Sequence, residues 1–267
     1  MVSSPSASPV VFIISNADDP ARAEPVGTGF FIHGQDDFMA PEEAWVYVVT
    51  CGHVVRDTPQ AGIRFALDGG GTRDYLVKRW YHHPTEDVAV ADFNLTDDLA
   101  FTAFGVYQGL LETTEHQPSL GERVQYTGLL GQVPSMGTSL TPMVRTGSIG
   151  ALYQHGVPMV DPHGTMRHVR GHLLDCNSIS GFSGSPVTVR FDRNTGKNTT
   201  RLGLALPESF YYLVGMIGGH FDVSKSVQLS SAERIQIPLG TGVGVVYTFD
   251  LIYEALHQEE LVELRRK

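Results

Sequence analysis

A chain of 267 residues, 42% hydrophobic and only 18% charged, is long enough for one large domain or two small ones with a real core and is not a disordered polypeptide. Nineteen Lys and Arg against 29 Asp and Glu leave a net charge of −10, which disfavours a nucleic-acid reader, because such proteins carry a basic face. No stretch approaches the ~20 apolar residues of a membrane-spanning helix. Residues 1–9 offer no basic residue ahead of the apolar run 10–14, so the chain reads as soluble and cytoplasmic. Its two cysteines, Cys51 and Cys176, read as buried thiols rather than a disulfide framework.

Residues 1–8 are rich in Ser, Pro and Ala and read as a loose tail. A β-branched run at 10–15 predicts a strand. A second is entered through glycines at Gly27-Thr28-Gly29-Phe30-Phe31-Ile32-His33, and residues 34–43 are acidic and turn-like. Residues 44–50 form a buried β-prone run that ends at Cys51-Gly52-His53, with a short helical turn expected over Val54-Val55. Runs at 63–67 and 74–81 bracket Gly69-Gly70-Gly71 as a hairpin, and residues 87–93 alternate around Val88, Val90 and Phe93. This half therefore holds about six short strands and little helix.

Residues 105–121, with Pro118 and Gly121, read as a crossover. A second set of strands follows at 124–130, 143–153, 172–176, 186–191, 211–218 and 242–249, with a turn at 192–197 and a polar surface flap at 223–237. From Asp250 the period changes: Ile252, Leu256, Leu261 and Leu264 describe one helix, with Asp250 as its N-cap and Arg265, Arg266 and Lys267 at the negative end of its dipole. Strands, more strands and a final helix make an all-β pattern, not an alternating α/β one. The expected domains are 9–104, a linker at 105–121, and 122–267.

The chemistry is concentrated in Gly181-Phe182-Ser183-Gly184-Ser185-Pro186. Ser183 is followed directly by Gly184, so its hydroxyl can meet a substrate, and the amides of Gly181 and Ser183 can converge on one oxyanion. A serine needs a base and a group that orients the base. His53, at the end of a buried strand, supplies the first. Asp87, at the mouth of an apolar strand, supplies the second, with Glu86 and Asp92 as nearby alternatives. The order is His, Asp, Ser, with gaps of 34 and 96 residues.

Those stretches resemble the motifs of trypsin/chymotrypsin-like serine proteases. Thr50-Cys51-Gly52-His53 is similar to their T-A-A-H motif, Asp87-Val88-Ala89-Val90 to D-I-A-L, and the Ser183 loop to G-D-S-G-G-P. Gly27-Thr28-Gly29-Phe30 and Gly215-Met216-Ile217-Gly218-Gly219 extend the resemblance over roughly residues 10–255. The nearest look is to standalone bacterial peptidases related to the HtrA/Deg type, without a PDZ domain. The resemblance implies two six-stranded antiparallel β-barrels with the site between them. It further implies a serine endopeptidase acting on polypeptides through an acyl-enzyme, with His53 as base, Asp87 as its orienting acid, and neither cofactor nor metal. The rival from another class is a protease-fold binding or scaffold protein with little or no turnover.

The sequence departs from that pattern in places. Phe182 replaces the acid that pairs with a new N-terminus in trypsin, and no Ile-Val-Gly-Gly start occurs, so the loop must be ordered by packing or by a partner. Gly218 stands where many relatives carry Ser. Asn177, Ser178, Gly218, Gly219 and His220 are the candidate lining of the first specificity pocket. Asn177 in place of Asp argues against cleavage after Lys or Arg. His220 reads either as a surface histidine or as a selector for acidic side chains. His155, His163, His168, His172 and Cys176 lie in loop and strand, where a four-residue spacing builds no metal site.

Overall fold

A computed structural model of the chain describes residues 9–35, 44–67, 70–94, 102–106, 118–130, 140–152, 156–160, 166–176, 181–192, 209–228 and 234–266. The expected turn at 192–197 and the pocket residues Asn177 and Ser178 fall almost wholly outside these residues.

The first half is an antiparallel sheet. Strands β1 (Val10–Ser15), β2 (Glu24–Gln35), β3 (Ala44–Cys51), β4 (Gly62–Ala66), β5 (Thr72–Leu76), β6 (Tyr81–His82) and β7 (Val88–Asp92) pair in the order β5-β4-β1-β2-β3-β7-β6. Strand β8 (Phe104–Gly105) runs parallel to β2 and makes this an eight-stranded sheet rather than the expected six. Among the described residues β5 and β6 do not pair with each other, so closure of this sheet into a barrel is not part of its hydrogen bonding. Residues Val88, Ala89, Val90 and Ala91 are all buried, so β7 is covered on both faces rather than alternating.

The second half closes. Strands β9 (Arg123–Gly128), β10 (Met143–Leu152), β13 (Gly171–Asp175), β14 (Pro186–Asp192), β15 (Ser209–Gln228) and β16 (Arg234–Thr248) form a closed barrel in the order β10-β13-β16-β15-β14-β9. A separate hairpin of β11 (Val157–Val160) and β12 (Met166–Val169) was not expected. Of the expected surface flap at 223–237, residues 223–228 and 234–237 are instead the outer part of the β15–β16 ribbon, paired from Val223↔Leu239 out to Gln228↔Arg234.

Among the described residues there are three short helices: α1 (Gly52–Arg56), α2 (Phe249–Leu256) and α3 (Glu259–Arg265). The single expected C-terminal helix is thus two, broken at His257 and Gln258, and the N-cap of α2 is Thr248 rather than Asp250. Phe249, Leu251, Ile252, Leu256 and Leu261 are fully buried and pack into the core of the first sheet, whereas Leu264 remains exposed. The chain's end therefore returns across the molecule from the barrel to the sheet that carries His53.

Candidate active site

β3 delivers His53. Its last residues pair with the start of β7, Cys51 opposite Val88, so the turn after β3 and the residue before β7 lie side by side. The first turn of any helix leaves backbone N–H groups without partners inside the helix. In α1 one of these, on His53, donates to Asp87 Oδ1 at 2.7 Å, and Gly52 N–H donates to the Asp87 carbonyl at 3.0 Å. The other carboxylate oxygen, Oδ2, takes His53 Nδ1 at 2.5 Å. One carboxylate thus fixes both the backbone and the ring of the same histidine. An ionised carboxylate only accepts, so the neutral form of this ring carries its proton on Nδ1 and its lone pair on Nε2. The imidazole side chain is 47% exposed and the carboxylate only 7%, the distribution expected of a base that faces solvent and an acid that does not. Of the three candidate acids, Asp87 is the one that meets His53. Glu86 lies 4.0 Å from Arg170, and Asp92 sits at the far end of β7.

The Ser183 loop is held by backbone and by one large side chain. Gly184 N–H donates to Ile217 O at 2.8 Å, Ile217 N–H to Ser185 O at 2.9 Å, and Thr28 N–H to Ser183 O at 3.0 Å. Thr28 Oγ1 donates to Gly181 O at 2.8 Å while accepting Leu129 N–H at 3.1 Å. Gly184 has φ +87, and a Cβ there would lie 2.0 Å from Thr28 O and 2.6 Å from Thr50 Oγ1, so only glycine fits. Phe182 is fully buried in the barrel core, edge-on to Tyr126 with ring centroids 5.7 Å apart, and the Arg145 guanidinium lies 5.6 Å from its ring centre. Full burial of such a side chain contributes about 1.5–3 kcal/mol. Ser183 is half-buried, whereas Ser185 is sealed. Among the described residues, no hydrogen bond joins the Ser183 hydroxyl to His53, and neither Gly181 N–H nor Ser183 N–H has an acceptor.

The profile of the trypsin-like peptidase domain matches residues 27–194, more than half of the chain. The chain belongs to the trypsin-like peptidase family. Among solved structures, the MamO protease domain of Magnetospirillum magneticum in its apo form is similar, with 18% identity and a TM-score of 0.53 over 96% of this chain and 99% of that one. The active form of the Rv3671c protease of M. tuberculosis is also similar, with 19% identity and a TM-score of 0.50 over 96% of this chain and 84% of that one. These two share the fold. No curated protein sequence matches the chain.

Two departures from the trypsin-like pattern have physical accounts here. The loop that lacks an acid at position 182 is ordered by burying Phe182, the first of the two alternatives left by the sequence. Gly218 is covered by Tyr247, whose Cε2 would lie 2.3 Å from a Cβ at that position, so a serine cannot stand there without moving the ring. Burial, and then the Asp87 carboxylate, push the Tyr247 phenol well above its ordinary range, so it stays neutral beside that carboxylate. Gly219 is half-buried and His220 exposed.

Several neighbours of Asp87 were not singled out from the sequence. Arg56 Nη2 lies 4.0 Å from Asp87 Oδ1. It sits three residues after His53 on α1, a spacing that places two side chains on one helix face. The His82 pKa is lowered by burial and by Arg56, against the opposing pull of Asp87. Thr28 and Tyr247 carried no local signal for their roles. Donor atoms of Cys51, His53 and Asp87 lie within 4.8 Å of one another, which in composition suits a soft cation. All three are already engaged. Cys51 Sγ donates to Ile217 O at 3.1 Å, and burial and then Asp87 push its thiol pKa well up, while His53 and Asp87 hold each other. His168 is exposed on β12 and His172 half-buried on β13; His155 and His163 lie outside the described residues.

Proposed function

We propose that the chain is a serine endopeptidase that cleaves polypeptides through His53, Asp87 and Ser183. The observation that carries this reading is the two-point grip of Asp87 on His53, which leaves Nε2 as the only basic nitrogen of a half-exposed ring. In this reading Nε2 takes the Ser183 proton as Oγ attacks a peptide carbonyl. The carbonyl C–O π electrons move to oxygen, and the Gly181 and Ser183 amides receive that oxyanion. His53 then gives the proton to the leaving amine, and the acyl group stays on Ser183 until water, deprotonated by the same nitrogen, releases it. Asp87 stabilises the imidazolium without taking its proton. Each oxyanion donor contributes about 3–4 kcal/mol to such a step. Catalytic hydrogen bonds are often long in unliganded enzymes and tighten with substrate, which accommodates the absent Ser183–His53 bond. Closing the first sheet as a second barrel would complete the crevice, and cytoplasmic action on polypeptide substrates completes the proposal.

The second reading, a protease-fold binding protein without turnover, is favoured by that same missing bond and by glycine at 218. A peptide-library digestion decides between them. The peptidase reading expects cleavage by the wild type, lost in Ser183→Ala and reduced about 10⁴-fold in Asp87→Asn. A folded wild type that cleaves nothing in the library supports the binding protein.

A further inference from the structure

The turn that presents Asp87 contains a second histidine, which the proposed mechanism does not use. His83 follows β6, lies four residues before Asp87, and its side chain is only 5% exposed. Both of its ring nitrogens are spoken for. Nδ1 lies 3.0 Å from Glu86 N–H and 3.3 Å from Thr85 N–H, and N–H groups can only donate, so Nδ1 is an acceptor and carries no proton. The proton of the neutral ring is therefore on Nε2, which donates to Glu254 Oε2 at 3.0 Å. His83 N–H donates to Val88 O at 2.8 Å and Val88 N–H to Glu86 O at 2.9 Å, so the backbone from 83 to 88 folds around this ring.

Glu254 belongs to α2, at the other end of the chain. Its carboxylate is gripped on both oxygens by Arg170, at 2.9 Å through Nη1 and 2.5 Å through Nη2, and Arg170 reaches Asp250 as well at 3.4 Å. A bidentate pair of this kind fixes the plane of a carboxylate. The chain of contacts runs from Arg170 to Glu254, through the His83 ring to the amides at 85 and 86, and from that turn to the carboxylate that holds His53.

We propose that His83 is a positioning residue for the catalytic acid: oriented by Glu254 of α2, its Nδ1 caps the 85–86 amides and thereby sets the placement of Asp87 against His53. This rests on the peptidase reading for its catalytic consequence, but not for its geometry. The C-terminal helix is then part of the working site, although it touches neither substrate nor the reacting atoms. The arrangement is economical in its chemistry. A neutral imidazole held in one tautomer accepts at one edge and donates at the other.

The test uses substitutions that separate the two edges of the ring. In His83→Asn the amide oxygen stands close to the place of Nδ1 and can still accept from the turn, whereas in His83→Gln the amide reaches towards Glu254 and leaves the 85–86 amides uncapped. Turnover is expressed per site titrated with an acylating ester. The proposal expects His83→Asn to keep kcat within a few-fold of wild type and His83→Gln to lose about 10²-fold in kcat with KM unchanged, the scale of a small misplacement of a catalytic group. Glu254→Leu, a change at a half-exposed position, is expected to fold and to lose about tenfold in kcat by releasing the ring. The far-downfield proton NMR signal of the His53–Asp87 hydrogen bond should persist in His83→Asn and shift or vanish in His83→Gln. Equal kcat and unmoved signals in all variants overturn the proposal, as does an equal loss in the Asn and Gln variants, which would mark a packing role only. If the wild type shows no turnover, the peptidase reading fails alone, and the NMR signal still decides whether His83 places Asp87.

Discussion

Cys51 Sγ and the Gly184 amide donate to the same atom, the carbonyl oxygen of Ile217, at 3.1 and 2.8 Å. Cys51 lies two residues before His53 and Gly184 one after Ser183, so a single acceptor on β15 ties together the turns that carry the proposed base and nucleophile. The convergence depends on Gly184. Gly184→Ala must move Thr28 or abandon a φ of +87, and should cost roughly 2–4 kcal/mol of stability and nearly all activity. Urea unfolding and a turnover assay measure the two. Unchanged stability would mean that the loop tolerates a side chain where the structure leaves no room.

Thr28 offers a gentler probe of the same loop. Its hydroxyl, fully buried, donates to Gly181 O and accepts from Leu129 N–H. Thr28→Val keeps the shape and leaves two buried polar groups unpaired, each costing about 1–3 kcal/mol. Because Gly181 is one end of the proposed oxyanion site, kcat should fall more than KM rises. A variant as stable as wild type would show that water or a shifted backbone replaces the hydroxyl.

The cysteines should be silent until the protein unfolds. Both are free and buried, and burial followed by the Asp87 charge holds the Cys51 thiol well above its ordinary pKa. The thiolate is the reactive form. A chromogenic disulfide reagent is therefore expected to titrate no Cys51 in the native protein at neutral pH and two thiols in denaturant. Rapid native modification of Cys51 would contradict the seam described here.

Acidification should destabilise the fold through histidines that resist protonation. Burial lowers the pKa of His33, of His82 and of His172 below the ordinary 6.5. In the unfolded chain these groups take protons as the pH falls through that value; in the folded chain they do so only lower down. Their contribution is complete above about 6.5 and is lost as the pH drops towards the folded pKa values. Glu254, whose carboxylate Arg170 holds below its ordinary range, keeps its charge in this window. Tm is expected to be lower at about pH 5 than at about pH 7.5, with the difference reduced in His172→Gln. An undiminished difference in that variant would remove His172 from the account.

Much of the site was readable because its signals are local. The end of β3 at Cys51, the helical turn after it and the glycines around Ser183 each need only a few adjacent residues. The acid–histidine contact came from adding a second motif at the mouth of β7, whose pairing with β3 the sequence does not state. What escaped depends on partners distant in the chain. Tyr247 fills the space over Gly218, yet nothing at 247 announces it. The paired stretches 223–228 and 234–237 read as a polar flap because Ser224, Lys225, Ser226, Gln228, Arg234 and Gln236 outnumber their apolar residues. Of the two expected barrels, one closes among the described residues, and in the other sheet the short strands β6 and β8 pair without any run of β-prone residues to announce them.

The most direct test is to treat the folded protein with a fluorophosphonate and locate the adduct by mass spectrometry. The account predicts a single adduct on the Ser183 peptide, absent from Ser183→Ala and strongly slowed in His53→Ala. No adduct on the folded wild type, or an adduct on another serine that survives Ser183→Ala, would contradict it.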